Sequence, residues 1–110
     1  HVFAPDTLAE ISITAPIGSQ RIHGTIDRLL ITDNKITAID FKTNRAIPHS
    51  AKNCPIGLLR QMGAYACALR EIYPDHEIET AILWTNTQSL MPLTHDLVSQ
   101  ALKTSTYLDL

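Results

Sequence analysis

Asp40 and Lys42 are the residues whose types and spacing most clearly suggest chemistry. They lie two residues apart in the apolar run 36–43, which reads ITAIDFKT. Side chains alternate between the two faces of a strand, so a strand here places Asp40 and Lys42 side by side on one face. A carboxylate that binds a cation, next to an ammonium that binds an anion, suits metal-assisted phosphoryl chemistry. A strand end with a surface Asp and Lys explains this stretch alone equally well.

A second acidic residue, Asp27, falls opposite Asp40 if two neighbouring runs form a hairpin. Residues 21–31 are rich in β-branched side chains and predict a strand, and residues 32–35, TDNK, have the composition of a turn. A two-residue loop at Asp33-Asn34 pairs Asp27 with Asp40, with their Cβ atoms roughly 5 Å apart, and a four-residue loop gives the same pairing. Like charges directly opposite destabilise a sheet, so this pairing makes sense if a divalent cation lies between them.

A helix predicted from Pro55 to about Tyr73 carries a further polar pair. Pro55 suits the first helical position, with Asn53 or Cys54 as the cap. Apolar residues recur at helical spacing and form a buried stripe that consists of Leu58, Leu59, Met62, Tyr65, Ala66, Leu69 and Ile72. Gln61 and Tyr65 are four residues apart and share a face, so the head of Gln61 could reach the strand ends. Without any functional role, Gln61 would be an ordinary residue at the boundary of the core and Tyr65 a core aromatic.

The polar loop 43–53 follows the strand that carries Asp40 and Lys42. It contains Asn44, Arg45, His49 and Lys52, each of which could contact a phosphate backbone. For each of these residues singly, a solvated loop is the better explanation. Arg45 is the best candidate among them because it lies nearest to Lys42.

The remaining elements predict a small mixed sheet with helices packed against it, an α/β or α+β layer fold. Residues 8–14 alternate as a strand, with Pro16 and Gly18 in the turn after it. Residues 77–85 are nearly continuous in apolar character at their end and predict a central strand. After a short strand or turn at 89–93, Thr94 caps a helix that runs to about Lys103.

Composition limits the possible classes of function. The 110 residues suit one small domain, and 45% apolar content is ordinary for a globular chain. A net charge of −2 is not typical of a protein that binds DNA strongly by itself. If DNA is the substrate, the rest of a larger protein is therefore expected to supply most of the DNA-binding surface. Cys54 and Cys67 lack metal spacing, which indicates reduced thiols in a cytoplasmic protein. No run is long and apolar enough for a membrane span. The sequence also contains no glycine-rich phosphate loop, so we do not expect it to bind ATP.

Three motifs in order resemble the RecB-like branch of the PD-(D/E)XK nucleases. They are GTIDRL at 24–29, DFKTN at 40–44 and QMGAY at 61–65. Within that branch the chain is most similar to the C-terminal nuclease domains of bacterial helicase–nuclease proteins of the AddA type. The resemblance covers nearly the whole chain, and three motifs with sensible spacing are specific although each alone is weak. It implies a restriction-endonuclease-like core.

The resemblance also implies the chemistry and its participants. Asp27, Asp40 and Lys42 would be catalytic, and Mg²⁺ (or Mn²⁺) would be held by the two aspartates and the backbone carbonyl of Phe41. Gln61 and Tyr65 would position DNA, and we add Arg45 from its place in the loop. The implied activity is a metal-dependent DNA exonuclease in double-strand break repair and recombination. The implied partners are a helicase motor in the same polypeptide and a second, AddB-like protein, in the cytoplasm at the nucleoid.

Two alternatives stay open, and one segment is expected to be missing. A nuclease-fold scaffold could guide DNA without cutting it, although the intact Asp27, Asp40 and Lys42 argue against this. A stand-alone metal-dependent phosphoesterase is the other alternative. The resemblance implies a metal-ligating histidine on a helix well before the first strand, and the chain begins only a few residues before Leu8. We therefore interpret residues 1–110 as one nuclease domain, the C-terminal part of a larger polypeptide, that lacks this helix and is a poor nuclease alone.

Overall fold

The strands predicted around the two acidic residues form the centre of a mixed β-sheet. A computed structural model describes residues 7–17 and 20–108. The strands are β1 (Thr7–Ile17), β2 (Gln20–Ile31), β3 (Lys35–Lys42), β4 (Glu77–Trp84) and β5 (Ser89–Leu93). A short 3₁₀ turn (Ala51–Asn53) and helix α1 (Ile56–Ile72) connect β3 to β4, and α2 (His95–Leu108) follows β5. The predicted α+β class, a small mixed sheet with helices against it, is confirmed.

The sheet order within the described residues is β1-β2-β3-β4-β5, with β3 and β4 parallel and the other neighbours antiparallel. The hairpin between β2 and β3 has the predicted register, with Ile31 opposite Ile36 and Arg28 opposite Ile39. Strand β4 lies between β3 and β5, so its predicted central position is also confirmed. The long connection through α1 is what allows β4 to run parallel to β3.

Strand β2 changes the face that it presents to α1 at Asp27. Ile26 and Leu29 both pack in the core cluster, although strict alternation would place them on opposite faces. The ladder with β1 pairs Ala9 with Arg28 and Ile11 with Ile26, and it leaves Glu10 and Asp27 between them unpaired. Glu10 has a φ of 52°, in the left-handed region. Both strands therefore bend at the same place, and the register before and after the bend is the same.

Helix α1 covers one face of the sheet and α2 packs against α1. The largest fully buried side chains are Trp84, Ile26, Leu29, Ile36, Ile39, Met62, Leu69, Ile82 and Val98. The predicted stripe of α1 is largely buried, but Ile72 at its C-terminal end is 47% exposed, so its assignment to the core is wrong. The helices approach closely at Gly63, where a Cβ atom would collide with the backbone carbonyl of Val98.

Several predicted element ends need correction. Helix α1 begins one residue after Pro55, and Asn53 and Cys54 belong to the 3₁₀ turn and its end, so neither caps the helix. Pro16 lies within β1, opposite Arg21, instead of in the turn, and Gly18 lies outside the described residues.

The predicted cap of α2 is confirmed, because the Thr94 hydroxyl accepts a hydrogen bond from the Leu97 amide at 3.2 Å. The helix continues to Leu108, five residues beyond the predicted end at Lys103. Neither α1 nor α2, within the described part of the chain, has the length and apolar content that crossing a bilayer requires. Cys54 and Cys67 are free thiols, and burial raises the pKa of the Cys54 thiol.

Candidate active site

Asp40 is a buried carboxylate near the carboxyl end of β3. Only 8% of its side chain is exposed. Apolar residues flank it on its own strand, which is an unusual environment for a charged side chain. The Lys42 ammonium lies 3.1 Å from Oδ2 of Asp40, as the shared strand face predicts. This contact is an ion pair and not a well-formed hydrogen bond, because Oδ2 is buried and finds no hydrogen-bond donor in suitable geometry among the described residues. The arrangement leaves a buried negative oxygen with one partner, and that partner is a flexible, 36% exposed side chain.

The charge on Asp40 is balanced between opposing effects. Burial raises the pKa of the Asp40 carboxyl, because the ionised form loses its hydration. The ammonium of Lys42 lowers this pKa, and the neighbouring carboxylate of Asp27 raises it again. The net effect is a raised pKa of the Asp40 carboxyl. Two acidic groups and one cation thus lie together in a partly dehydrated space. A further positive charge placed between the carboxylates would stabilise both of them in the ionised form.

Asp27 reaches the same space from β2. The regular ladder between β2 and β3 ends at Arg28 opposite Ile39, so Asp27 and Asp40 are the next facing residues. Instead of extending the ladder, Asp27 accepts a hydrogen bond through Oδ2 from the Phe41 amide at 2.8 Å. This bond holds the Asp27 side chain against β3, close enough for its charge to act on the Asp40 carboxyl. The juxtaposition predicted from the hairpin register is therefore present.

The Phe41 backbone points toward Asp27. The amide and carbonyl of one strand residue point to the same side, and the Phe41 amide faces the Asp27 carboxylate. The next residue, Lys42, directs its carbonyl the other way, where it accepts hydrogen bonds from the amide and hydroxyl of Thr85 at 2.8 Å and 3.1 Å. The Phe41 carbonyl is thus directed to the side of the sheet that holds Asp27, beyond the last pair of the ladder.

Gln61 and Tyr65 lie on α1 and are tied to β2, the strand that carries Asp27. The Gln61 amide donates to the Tyr65 hydroxyl at 2.7 Å, and that hydroxyl donates to the Thr25 carbonyl at 3.0 Å. Tyr65 is 4% exposed, whereas Gln61 is exposed. The predicted pair is therefore a connected chain of hydrogen bonds from the surface to the strand, two residues before Asp27.

Gly24 explains how the ring of Tyr65 can lie so close to β2. A Cβ atom at Gly24 would lie 2.6 Å from Cε1 of Tyr65, which is closer than real side chains approach. The missing side chain thus makes room for the ring. Sequence reasoning treated Gly24 only as part of a motif and did not identify the Thr25 carbonyl as a partner. The signal that was available is a glycine inside a strand, which often marks close approach of another group.

Arg45, which the sequence singled out, and Glu10 of β1 lie apart from this constellation. Arg45 is exposed in the loop after β3, with no contact to Asp27 or Asp40 in the structure's hydrogen bonds and ion pairs. Glu10 faces the bend at Asp27 but is exposed. Within the described residues, no group of three or more His, Cys, Asp or Glu side chains is arranged to hold a metal ion. The donors at this site are therefore two carboxylates and one candidate backbone carbonyl.

Known proteins resemble this chain in sequence and in fold. A family model described as the PD-(D/E)XK nuclease superfamily matches residues 3–106. One of the ATP-dependent helicase/nuclease proteins, from Oenococcus oeni, is 34% identical over 62 residues, which are 56% of this chain and 5% of that protein. A crystal structure of a protein from Eubacterium rectale, provisionally named an exonuclease, superposes with a TM-score of 0.61 at 12% identity. The superposed region is 88% of this chain and 40% of the Eubacterium rectale protein. The similarity shows that the fold is the predicted restriction-endonuclease-like fold.

Proposed function

The chain belongs to the PD-(D/E)XK nuclease superfamily, and from this premise we propose that Asp27, Asp40 and Lys42 form a metal-dependent site that hydrolyses DNA phosphodiester bonds. The observation that carries the proposal is the buried Asp40 carboxylate, which lies beside a second carboxylate, Asp27, and has the Lys42 ammonium at 3.1 Å as its partner. A structural ion pair needs only one carboxylate. A second carboxylate beside a buried one is costly unless a cation joins them.

The donors at the site fit a hard divalent cation such as Mg²⁺ or Mn²⁺. Asp27, Asp40 and the Phe41 carbonyl would supply oxygens, which are the ligands that these ions prefer. When bound, such an ion supplies positive charge that polarises a phosphate and makes a bound water more acidic. The hydrogen bond from the Phe41 amide fixes the orientation of the Asp27 carboxylate against β3.

Lys42 would stabilise the charge that develops on the phosphate during hydrolysis. Its ammonium lies beside Asp40 and is 36% exposed, so it can reach a bound phosphate without leaving the site. As water adds to phosphorus and one phosphorus–oxygen ester bond breaks, negative charge builds on the non-bridging oxygens. Gln61, exposed and bonded to Tyr65, would contact the DNA strand, and Arg45 would bind a neighbouring phosphate.

We infer further that this domain works within a larger helicase–nuclease. The support is the similarity to the Oenococcus oeni protein, of which the chain spans 5%. In that context residues 1–110 would be the nuclease domain, a helicase motor in the same polypeptide would feed DNA to it as an exonuclease, and an AddB-like protein would be the partner. The activity would belong to DNA break repair and recombination in the cytoplasm, at the nucleoid.

Replacement of Lys42 tests the proposed chemistry. In the full-length protein, Lys42→Ala or Asp40→Ala should lower Mg²⁺-dependent cleavage of end-labelled DNA by about 10²-fold or more and leave DNA unwinding intact. The matched control is Lys35→Ala, at the other end of the same strand, where the lysine forms an exposed ion pair with Glu79 at 3.5 Å. Such a pair contributes little, so this variant should cleave normally.

The alternatives give different results in the same assay. A scaffold that only guides DNA would show no metal-dependent cleavage by the wild-type domain. A small-molecule phosphoesterase would hydrolyse a simple phosphate ester and leave DNA intact. Near-normal DNA cleavage by Lys42→Ala would remove Lys42 from the catalytic group, and loss of unwinding would indicate a structural effect.

A further inference from the structure

A cavity of about 350 Å³ lies beside the candidate active site, in the loop that follows β3. Its principal lining residues are Asn44, Pro48, His49, Asn53, Pro55 and Trp84. Trp84 is the parallel partner of Lys42 in the sheet, so the wall of the cavity and the catalytic lysine are on strands roughly 5 Å apart. Asn44 is two residues after Lys42 along the chain. The cavity and the candidate active site are therefore neighbours.

The lining suits an uncharged ligand with a polar edge. None of the described lining residues is Asp, Glu, Lys or Arg, and His49 is the one titratable side chain among them, so the lining offers a phosphate or carboxylate little ionic attraction. Prolines and the buried Trp84 supply apolar walls, and Asn44 and Asn53 are exposed amides at the rim. An amide group carries both donors and an acceptor. A flat, neutral heterocycle with hydrogen-bonding edges matches this combination.

The wall also contains a polar atom without a partner. Nε1 of Trp84 is buried and finds no acceptor among the described residues. Buried polar groups are normally hydrogen-bonded, so an unpaired donor on a residue that lines the cavity is a feature that a ligand could satisfy. This atom is covered in the structure, so a ligand must displace neighbouring groups to reach it.

We propose that this cavity receives one unpaired nucleobase of the DNA strand whose phosphate is bound at Lys42. The inference rests on the proposed function, because it takes the strand at Lys42 as its source of the base. A base inside a duplex is stacked on both faces and paired at its edge, so only an unpaired or extruded base can enter a cavity of this kind. The substrate next to the cleaved bond is therefore a single-stranded segment.

The same lining makes the cavity tolerant of base identity. Rotation of an Asn amide exchanges its donor and acceptor, so Asn44 and Asn53 can match different base edges. No charged side chain of the described lining selects one base. The bound base would therefore fix the position of the strand relative to Lys42 without imposing a sequence preference.

A single abasic site, moved along the substrate, tests this inference. The full-length protein is titrated in Ca²⁺ against fluorescein-labelled single-stranded oligonucleotides of thymidines that are no longer than one binding site, so that the strand cannot shift its register, with one base removed at each position in turn. A cavity that holds one base should give a loss of affinity of about fivefold or more at one position only. In the double variant Asn44→Ala, Asn53→Ala the profile should become flat. The matched control Asn34→Ala, an exposed asparagine in the β2–β3 turn, should keep the wild-type profile.

The possible outcomes separate this inference from the proposed function. A flat abasic profile for the wild-type protein overturns the base cavity, as does a position-specific loss that persists in the double variant. Cleavage of the same unmodified oligonucleotide in Mg²⁺ is measured in parallel. Cleavage with a flat profile refutes only the cavity, whereas a position-specific profile without any Mg²⁺-dependent cleavage refutes the nuclease and keeps the base-binding site.

Discussion

At the residue scale, the defining feature is that the Asp40 carboxyl is buried beside a second carboxyl, Asp27. Burial and Asp27 raise the pKa of its carboxyl, and Lys42 opposes them. This arrangement lowers the free energy of unfolding, because the folded chain must keep a dehydrated carboxylate beside a second one. The Lys42 ammonium is a partial substitute for a metal ion: it neutralises charge, but it supplies no well-formed hydrogen bond to the buried oxygen.

Asp40 should make the stability of the metal-free chain depend on pH. Its pKa is raised by burial in the folded chain, so between the ordinary aspartate pKa and this raised value the folded chain binds more protons than the unfolded chain. The free energy of unfolding should therefore fall as pH rises through this range, and the loss should be complete above the raised pKa. Asp40→Asn should remove this slope. Urea unfolding in EDTA over a pH series measures it.

The control for this measurement is Asp75→Asn, in the exposed turn after α1. It should keep the wild-type slope. A free energy of unfolding that rises with pH across the same range would show that Lys42 dominates the electrostatics of the site. An unchanged slope in Asp40→Asn would show that groups other than Asp40 produce the slope.

At the scale of elements, the site depends on how closely α1 lies against β2. The Tyr65 ring occupies the space left by Gly24, and its hydroxyl donates to the Thr25 carbonyl. This contact lies next to the bend at which Asp27 leaves the ladder and turns to the Phe41 amide. The helix thus supports the strand at the point where regular pairing is absent.

Gly24→Ala should destabilise the chain by about 1–3 kcal/mol, because the added methyl overlaps the Tyr65 ring at 2.6 Å. In a Tyr65→Ala background the ring is gone, so the same change should cost much less. Chemical denaturation of the four proteins in this cycle gives the coupling. Gly57→Ala is the control, since no atom lies within 4 Å of its Cβ position, and it should be neutral or stabilising by up to about 1 kcal/mol. Additive effects at positions 24 and 65 would contradict the close contact.

The hairpin that carries the site could be predicted from sequence, but its bend could not. Turn chemistry and β-branched runs set the register, and the register correctly predicted that Asp27 and Asp40 come close together. Strict alternation failed at Asp27, because the side chain competes with the ladder for the Phe41 amide. The three-residue spacing of Ile26 and Leu29, both core residues, was the available sign of a break. A spacing of this kind is difficult to recognise when most of the strand is apolar.

At the scale of the whole molecule, the candidate site lies at one edge of the sheet. The carboxyl ends of the parallel strands β3 and β4 lie together, and sites in sheets with parallel strands often form at such an edge. The loop cavity could not be predicted, because it depends on the pairing of Lys42 with Trp84, two residues far apart in sequence. The motifs identified the family, whereas the contacts between them required the fold.

Metal binding by this chain alone should be weak. Two carboxylates and one carbonyl leave Mg²⁺ largely hydrated, and Mg²⁺ loses its water reluctantly, so a Kd of about 1 mM or weaker is expected. Calorimetric titration with Mg²⁺ and Mn²⁺ measures this, and Asp27→Asn should remove the remaining signal. The full-length protein should bind more tightly and cleave DNA. Tight binding by the chain alone would show that its own residues suffice as ligands.

The parallel pairing of β3 with β4 also implies an order of assembly during folding. Asp27 and Phe41 are 14 residues apart, whereas Lys42 and Thr85 are 43 apart and are joined through α1. Closing a short loop costs less entropy than closing a long one, and hairpins form in about 1–10 μs. The two carboxylates therefore meet early, in a nascent hairpin, before β4 adds the wall that contains Trp84. A divalent cation present at that moment would favour the hairpin by neutralising its neighbouring acids, so divalent cations should also speed refolding.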